Sequence, residues 1–444
     1  MRIEWSPGLT RAASKALTRR LCRVDRYFSS PLIAYLFVKV MVTLFVVYFY
    51  SKLTTFSDAS YYLGQQVNTL GEIARNYYTF LVFSSLRSVL GSDVAVHLFA
   101  SLASGAIIWG AVRPYYLLIP RHLFWTAVSL PHFLVWSGYT GKEVITIAVF
   151  TWIVRLNADL VFGLKVRYVW YVLLISIALA YRWHYSLPYL WVSVVALLVA
   201  RTGFARFKVG AAGAALGLLL ASAVPAALWS LPRIMAGIDG AASTARTYFV
   251  GAGRSTRDYL DLTSVADLVA NIWWGLPASI IGPLPGELLE RPLFFVVFLE
   301  GLFSVSLLIY LMSRTLKCSA PWNDLSVFCW IGILPAVIMA LLIHYPFGVY
   351  NPGSAIRYKQ SLAPLFYVLP ILLLGLFRYR TSTVPRTSIG GEASLPPPRH
   401  RVPARTPQAR TRNCRWESSS GLFRSGQATR KIGRRGEDTE AEQS

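Results

Sequence analysis

The stretch PLIAYLFVKVMVTLFVVYFY, Pro31 to Tyr50, decides the class of fold, because it is apolar throughout except for Lys39. A helix needs about 20 such residues to cross the hydrocarbon core of a bilayer. The residues before it carry Arg2, Arg11, Lys15, Arg19, Arg20, Arg23 and Arg26 against Glu4 and Asp25, a basic flank that places the N-terminal segment, residues 1–30, in the cytoplasm. That flank lacks a small-residue cleavage site after an apolar run, so it reads as a topology signal and not as a removable leader. The whole chain repeats the pattern: 444 residues are 55% hydrophobic and 15% charged, outside the range of an ordinary water-soluble domain. Barrel strands would show weak alternation, whereas these runs are continuous, so the expected fold is all-α, a polytopic transmembrane bundle.

Further spans are expected at Asp93–Val112, Tyr115–Trp136, Val144–Val154, Tyr168–Tyr181, Leu187–Ala200, Val209–Leu231, Pro292–Met312, Leu325–Ile343 and Leu362–Phe377. That makes about ten spans within a transmembrane domain of residues 31–377. Alternate loops then hold Arg113; Arg155, Lys165 and Arg167; Arg201, Arg206 and Lys208; Arg314 and Lys317; and Arg378 and Arg380, each a basic cytoplasmic loop. The Val144–Val154 run is short and leads into Arg155 and Asp159, which suggests an interfacial helix or a locally thinned bilayer. NIWWGLPASIIG, interrupted by Pro277, reads as a helix lying at the interface or re-entering. Residues 378–444 are poor in apolar residues and rich in Pro, Ser, Gly and Arg, which predicts a disordered basic cytoplasmic tail. The net charge of +23 is thus a matter of topology and lipid contact, and nucleic acid is not an expected partner.

With this topology the polar segments collect on the outer side, in loops 51–92, 232–291 and 344–361 and in the shorter turns SGYTGKE and YRWHYSLPY. Loops longer than about 12–15 residues are usually functional or disordered. Asp58, among Phe56, Tyr61 and Tyr62, suits a general base that activates a sugar hydroxyl, and equally suits a helix N-cap. Glu143 follows Lys142 and the glycines 138 and 141; a helix dipole explains an acid there, and a Gly-rich turn with adjacent opposite charges equally suits the approach of an anionic ligand. Lys142 beside the Gly-rich turn can approach an anionic ligand. Arg182 and His184 come straight off a span, while Arg357 and Lys359 in NPGSAIRYKQ precede the last one. Cations at span ends can snorkel to lipid phosphates, but on the outer side they oppose the orientation bias, and a guanidinium fork fits phosphate. Arg233 in the long loop joins them as a candidate; Tyr61, Tyr139 and Tyr350 are candidates for stacking on a sugar. No nucleotide, serine-elbow or metal-ligand motif is visible in the sequence, so no cofactor is expected.

FSDASYY after the first span, SLPHFLVWSGYTGKE (Ser129–Glu143) and NPGSAIRYKQSLAP before the last resemble segments of bacterial O-antigen and exopolysaccharide polymerases and, more distantly, of C-class glycosyltransferases. The resemblance covers only these short segments, and the paired acids of the C-class enzymes are not reproduced, since Asp58 has no adjacent Glu. That departure implies a metal-free transfer. The resemblance implies a membrane glycosyltransferase that polymerises undecaprenyl-pyrophosphate-linked oligosaccharide units at the periplasmic face of the inner membrane, with both termini cytoplasmic. Arg182, Arg357, Lys359 and Arg233 would then hold pyrophosphate, with Asp58 or Glu143 as base; a chain-length regulator is a candidate partner. A polyprenyl-phosphate-dependent single-sugar transferase and a lipid-linked oligosaccharide flippase are the alternatives. Transport would call for ionisable groups deep in the spans, where Lys39, Arg121 and Glu300 fall.

Overall fold

The computed structural model describes residues 29–51, 59, 62–64, 73–202, 257, 260, 262, 264–290, 294–319 and 323–383. These form an all-helical bundle without strands, in which six helices are long and apolar enough to cross a membrane, or seven if one bent pair counts as a span. The helices are α1 (Ser29–Phe45, continued by a π-helical turn, Val46–Tyr50), α2 (Ile73–Leu90), α3 (Asp93–Val112), α4 (Arg121–Val128), α5 (Pro131–Trp136), α6 (Lys142–Val161) and α7 (Tyr168–Thr202). They continue as α8 (Val265–Ala270), α9 (Ile272–Ile281), α10 (Pro285–Glu290), α11 (Phe294–Ser319), α12 (Asn323–Val327), α13 (Leu334–Tyr350), α14 (Pro352–Lys359) and α15 (Leu369–Thr383). The second compact unit, Ser388–Ser444, lies outside the described residues, as do Asp58, Tyr61, Arg233 and the run Val209–Leu231.

Contacts fix the directions of the helices. Thr43 donates to Ser101 Oγ at 2.9 Å while the Lys39 side chain packs on Gly105, so α1 and α3 are antiparallel. Trp152 Nε1 donates to the Ile107 carbonyl and Arg155 to that of Gly110, while Val144 packs with Val96 and Ala100. α3 and α6 therefore run parallel, and the chain between them must travel back across the bundle. It does so in pieces. Tyr115–Trp136, expected as one span, is divided into a 3-10 turn (Arg113–Tyr115), α4 and α5. Pro114 starts the turn, Pro120 precedes α4 and Pro131 opens α5, each ring removing an N–H that a continuous helix would need.

α7 contains two of the expected runs. Its 35 residues are broken at Arg182, where φ −150° and ψ 70° leave the helical region. Tyr171 meets Asn157, Arg182 meets Glu143, and Tyr189 stacks on Phe150 at 3.9 Å between ring centroids. The chain thus climbs along α6 as far as Glu143 and turns back toward Phe150. Tyr168–Tyr181 and Leu187–Ala200 fall on either side of this break as two helical segments, and Arg182 sits at the bend between them.

Three expectations change. Val144–Val154 is part of a full helix of 20 residues, because Arg155 and Asp159 pair with each other at 3.4 Å one turn apart and so lower the cost of extending it. Residues 73–90, assigned to an outer loop, form α2. The last helix runs beyond Phe377 to Thr383, into the segment assigned to the tail. The NIWWGLPASIIG segment is α9, whose 10 residues span only about 15 Å.

Glycines let α9 nest against its neighbours. A Cβ on Gly301 would lie 2.0 Å from the Ile281 carbonyl oxygen, one on Gly348 2.6 Å from Ser279, and one on Gly275 2.5 Å from the Tyr345 ring. Gly301→Ala is therefore expected to push α9 away from α11, with overpacking costing about 1–3 kcal/mol. A thermal-melt comparison of the solubilised proteins checks this, and an unchanged midpoint would refute the close approach.

A buried clasp holds the described part of the segment 232–291 to the end of α13. Arg257, 1% exposed, donates to Glu287 at 2.7 and 2.8 Å, to the Val349 carbonyl at 2.7 Å and to the Gly282 carbonyl at 2.8 Å. Its own N–H donates to Tyr350 O at 2.8 Å. The Tyr350 hydroxyl bonds the backbone of Leu262, so this ring is consumed in the clasp and does not present a face for stacking. Asn351 and α14, with Arg357 and Lys359, follow directly from this anchored point.

Candidate active site

α6 begins at a turn that sequence chemistry explains. Gly141 precedes it, and a Cβ there would stand 2.9 Å from Glu143 Oε2, so glycine leaves room for the carboxylate to fold back beside its own helix start. Glu143 is 1% exposed. Arg182, delivered by the break in α7, donates through Nη2 to Glu143 Oε1. Arg357, delivered by α14, donates to the same oxygen through Nε at 2.7 Å and to Oε2 through Nη2 at 3.3 Å. Residues 143, 182 and 357, far apart in the chain, thus meet as two guanidinium groups on one carboxylate. Arg182 is itself buried, and its Nε donor has no hydrogen-bond partner among the described residues.

Aromatic faces wall the cluster. The Arg182 guanidinium carbon lies 4.7 Å from the centroid of Tyr358 and 5.6 Å from that of Tyr185; Arg357 lies 5.1 Å from Trp136 and 5.6 Å from Tyr358. Such faces hold planar cations in place while leaving their N–H edges directed elsewhere. Tyr185 continues the polar chain: its hydroxyl is 3.0 Å from His344 Nδ1, whose Nε2 is 3.1 Å from the Ser279 carbonyl oxygen. Nothing in the local sequence of Trp136, Tyr358 or Tyr185 announces these partners, because the contacts join separate helices.

The remaining expected residues divide. Lys359, buried, donates to the Ile280 carbonyl at 2.8 Å and so ties α14 to α9. Lys142 is half-buried at the first position of α6. His184 lies beside the Tyr185 ring and stacks on Phe347 at 5.6 Å. Tyr139 stacks on His97 at 4.3 Å. Burial, with Asp93 adding and Arg357 opposing, pushes the Tyr139 phenol up to about 12, so near neutral pH it is a hydrogen-bonding group and not a base. Among the described residues no three His, Cys, Asp or Glu side chains converge as a metal site.

Of the charges expected deep in the spans, Lys39 and Glu300 are buried, while Arg121 is exposed at the start of α4. Lys39 donates to Ser137 O and Oγ, both at 2.8 Å. Arg121 lies 5.3 Å from the Tyr116 centroid, and Glu300 binds His132. Beside the cluster runs a groove of about 520 Å³ between α2, α3, α6 and α7, lined by side chains such as Phe83, Phe99, Val144, Ile145, Trp152 and Trp170. Its lining is almost wholly apolar, and along α6 it extends from Val144, next to Glu143, to Leu156, about 18 Å.

Bundle and site together define a multi-pass helical membrane protein with a buried arginine–carboxylate cluster. Comparison of the chain with protein-family models, curated proteins and solved structures found no match.

Proposed function

We propose that the protein is a membrane glycosyltransferase that polymerises oligosaccharide units carried on undecaprenyl pyrophosphate at the outer face of a bacterial inner membrane. The observation that carries this reading is the meeting of Arg182 and Arg357 on Glu143, with the buried Arg182 Nε still unpaired. A buried donor without a protein acceptor is costly, and a ligand oxygen is one group that can supply the acceptor. Phosphate oxygens suit guanidinium forks better than any neutral group. The groove starting at Val144 and Ile145 supports the lipid half of the substrate, since an anionic head at the arginines would leave its apolar chain beside this lining. Transfer then rests on positioning and on charge stabilisation of the departing pyrophosphate.

The experiment is made in cells deleted for the chromosomal copy and complemented with wild type, Arg182→Ala or Arg357→Ala at matched protein levels. Both variants are expected to leave single repeat units in place of long surface polymer. Full-length polymer in both would overturn the assignment. A flippase would instead trap units on the cytoplasmic side, and a side-branch transferase would change composition while chain length persists. The flippase reading has one specific observation in its favour, the Lys39–Ser137 contact with Ser104 bonding the same carbonyl, a polar track inside the bundle.

A further inference from the structure

Glycosyl transfer of this kind needs an acceptor for the proton of the attacking hydroxyl, and the expected acids do not supply one among the described residues. Asp58 lies outside them, and Glu143 has both oxygens engaged by guanidinium groups. A third carboxylate is placed differently. Glu300, on α11, has Oε2 2.5 Å from His132 Nδ1 and accepts the His132 backbone N–H on Oε1 at 3.1 Å. Two contacts from one carboxylate fix the imidazole in orientation, and a proton on Nδ1 directed at Glu300 leaves Nε2 with the lone pair. Nε2 makes no hydrogen bond among the described residues, and the side chain is 14% exposed, so the ring is reachable.

The location matches the cluster. His132 and Trp136 are four residues apart on α5 and share its face, with Cβ atoms about 5–6 Å apart. Trp136 carries the Arg357 guanidinium on its ring. On the other side Glu300 is within electrostatic reach of Lys359 from α14. The charged group in contact with the imidazole is Glu300 from α11; Arg357 and Lys359 from α14 are one step removed, the first on the Trp136 ring and the second acting on Glu300. If Glu300 served only to cap the start of α5, the backbone contact would suffice and the ring contact would be incidental.

We infer that His132, oriented by Glu300, is the proton acceptor of the transfer reaction, with Glu300 as its positioning residue; this rests on the carrier-linked substrate proposed above. The acceptor hydroxyl gives its proton to His132 Nε2 as its oxygen bonds the anomeric carbon of the donor sugar. The bond from that carbon to the phosphate oxygen breaks, and its electron pair leaves with the carrier pyrophosphate, whose charge Arg182 and Arg357 meet. The imidazolium then returns its proton to water.

The test uses membranes containing the full chain and, as substrate, carrier-linked saccharides extracted from cells deleted for it. His132→Ala is expected to lower kcat by about 10²-fold, the usual share of general base catalysis, with KM little changed, and added imidazole is expected to restore about 10-fold. Glu300→Gln, which keeps an acceptor for the α5 backbone, is expected to lose about 10-fold in kcat. Imidazole rescue separates chemistry from misfolding. Wild-type kcat in His132→Ala, or a loss that imidazole does not relieve, overturns the inference while leaving the arginine site standing if Arg182→Ala is inactive. No product from wild type overturns the carrier reading, and this inference with it.

Discussion

Glu143→Gln is expected to be the most destabilising single change in the chain, lowering stability by about 3–5 kcal/mol, because it leaves two guanidinium cations in a buried site with no anion between them. An amide oxygen can still accept a hydrogen bond, so loss of charge and not loss of shape is what the substitution measures. Glu143→Asp keeps the charge but withdraws it by one methylene, and is expected to recover only part of the loss, since one carboxylate must reach arginines from α7 and α14 together. Thermal melts of the solubilised protein give the comparison. The double variant Glu143→Gln/Arg182→Met is expected to be less destabilised than the sum of its parts, since it removes one of the stranded cations together with the anion. Additive losses would show that Arg182 and Glu143 are not coupled, and the cluster would lose its meaning as a unit.

That prediction also reassigns a residue. In the sequence Glu143 is equally a helix-dipole acid and part of a turn suited to an anionic ligand, because only its own neighbours, Lys142 and Gly141, are in view. Its partners come from residues 182 and 357, and no local pattern announces a contact across such separations. What the sequence does show is the type of each group and its position at the end of an apolar run, as for Arg182, Arg357 and Glu143 taken singly. Span counting succeeded where a run was uninterrupted, as at Pro31–Tyr50 and Asp93–Val112, and faltered where proline or a bend intervened. Hydropathy treats Tyr115–Trp136 as one apolar stretch, whereas Pro120 and Pro131 cut its hydrogen bonding. It likewise sees two short runs around Arg182 without showing that the break between them carries Arg182 onto Glu143. α2 escaped notice because Asn76, Ser84, Ser85, Arg87 and Ser88 dilute its apolar residues. His132 and Glu300 illustrate the same limit at the site, each ordinary alone and informative only once α5 and α11 are side by side.

The arginines carry the second large effect. Arg182→Lys is expected to lose nearly as much transfer activity as Arg182→Ala, about 10²-fold, the scale for deleting one donor to a developing anion. Lysine preserves the charge, so a site that needed only a positive potential would tolerate it. This site is built for a planar group: Arg182 lies against Tyr358 while its Nη2 is spent on Glu143 and its Nε remains buried and unpaired. An ammonium cannot serve a carboxylate and a phosphate from opposite edges of one plane. Inorganic pyrophosphate distinguishes this from general damage, since it is expected to inhibit wild-type membranes and to inhibit Arg182→Lys far less, whereas a folding defect would lower activity and leave the inhibition constant unchanged. If the lysine variant matches wild type in both rate and inhibition, the guanidinium at the bend of α7 is a structural tie to Glu143 and nothing more, and the anion must be sought elsewhere.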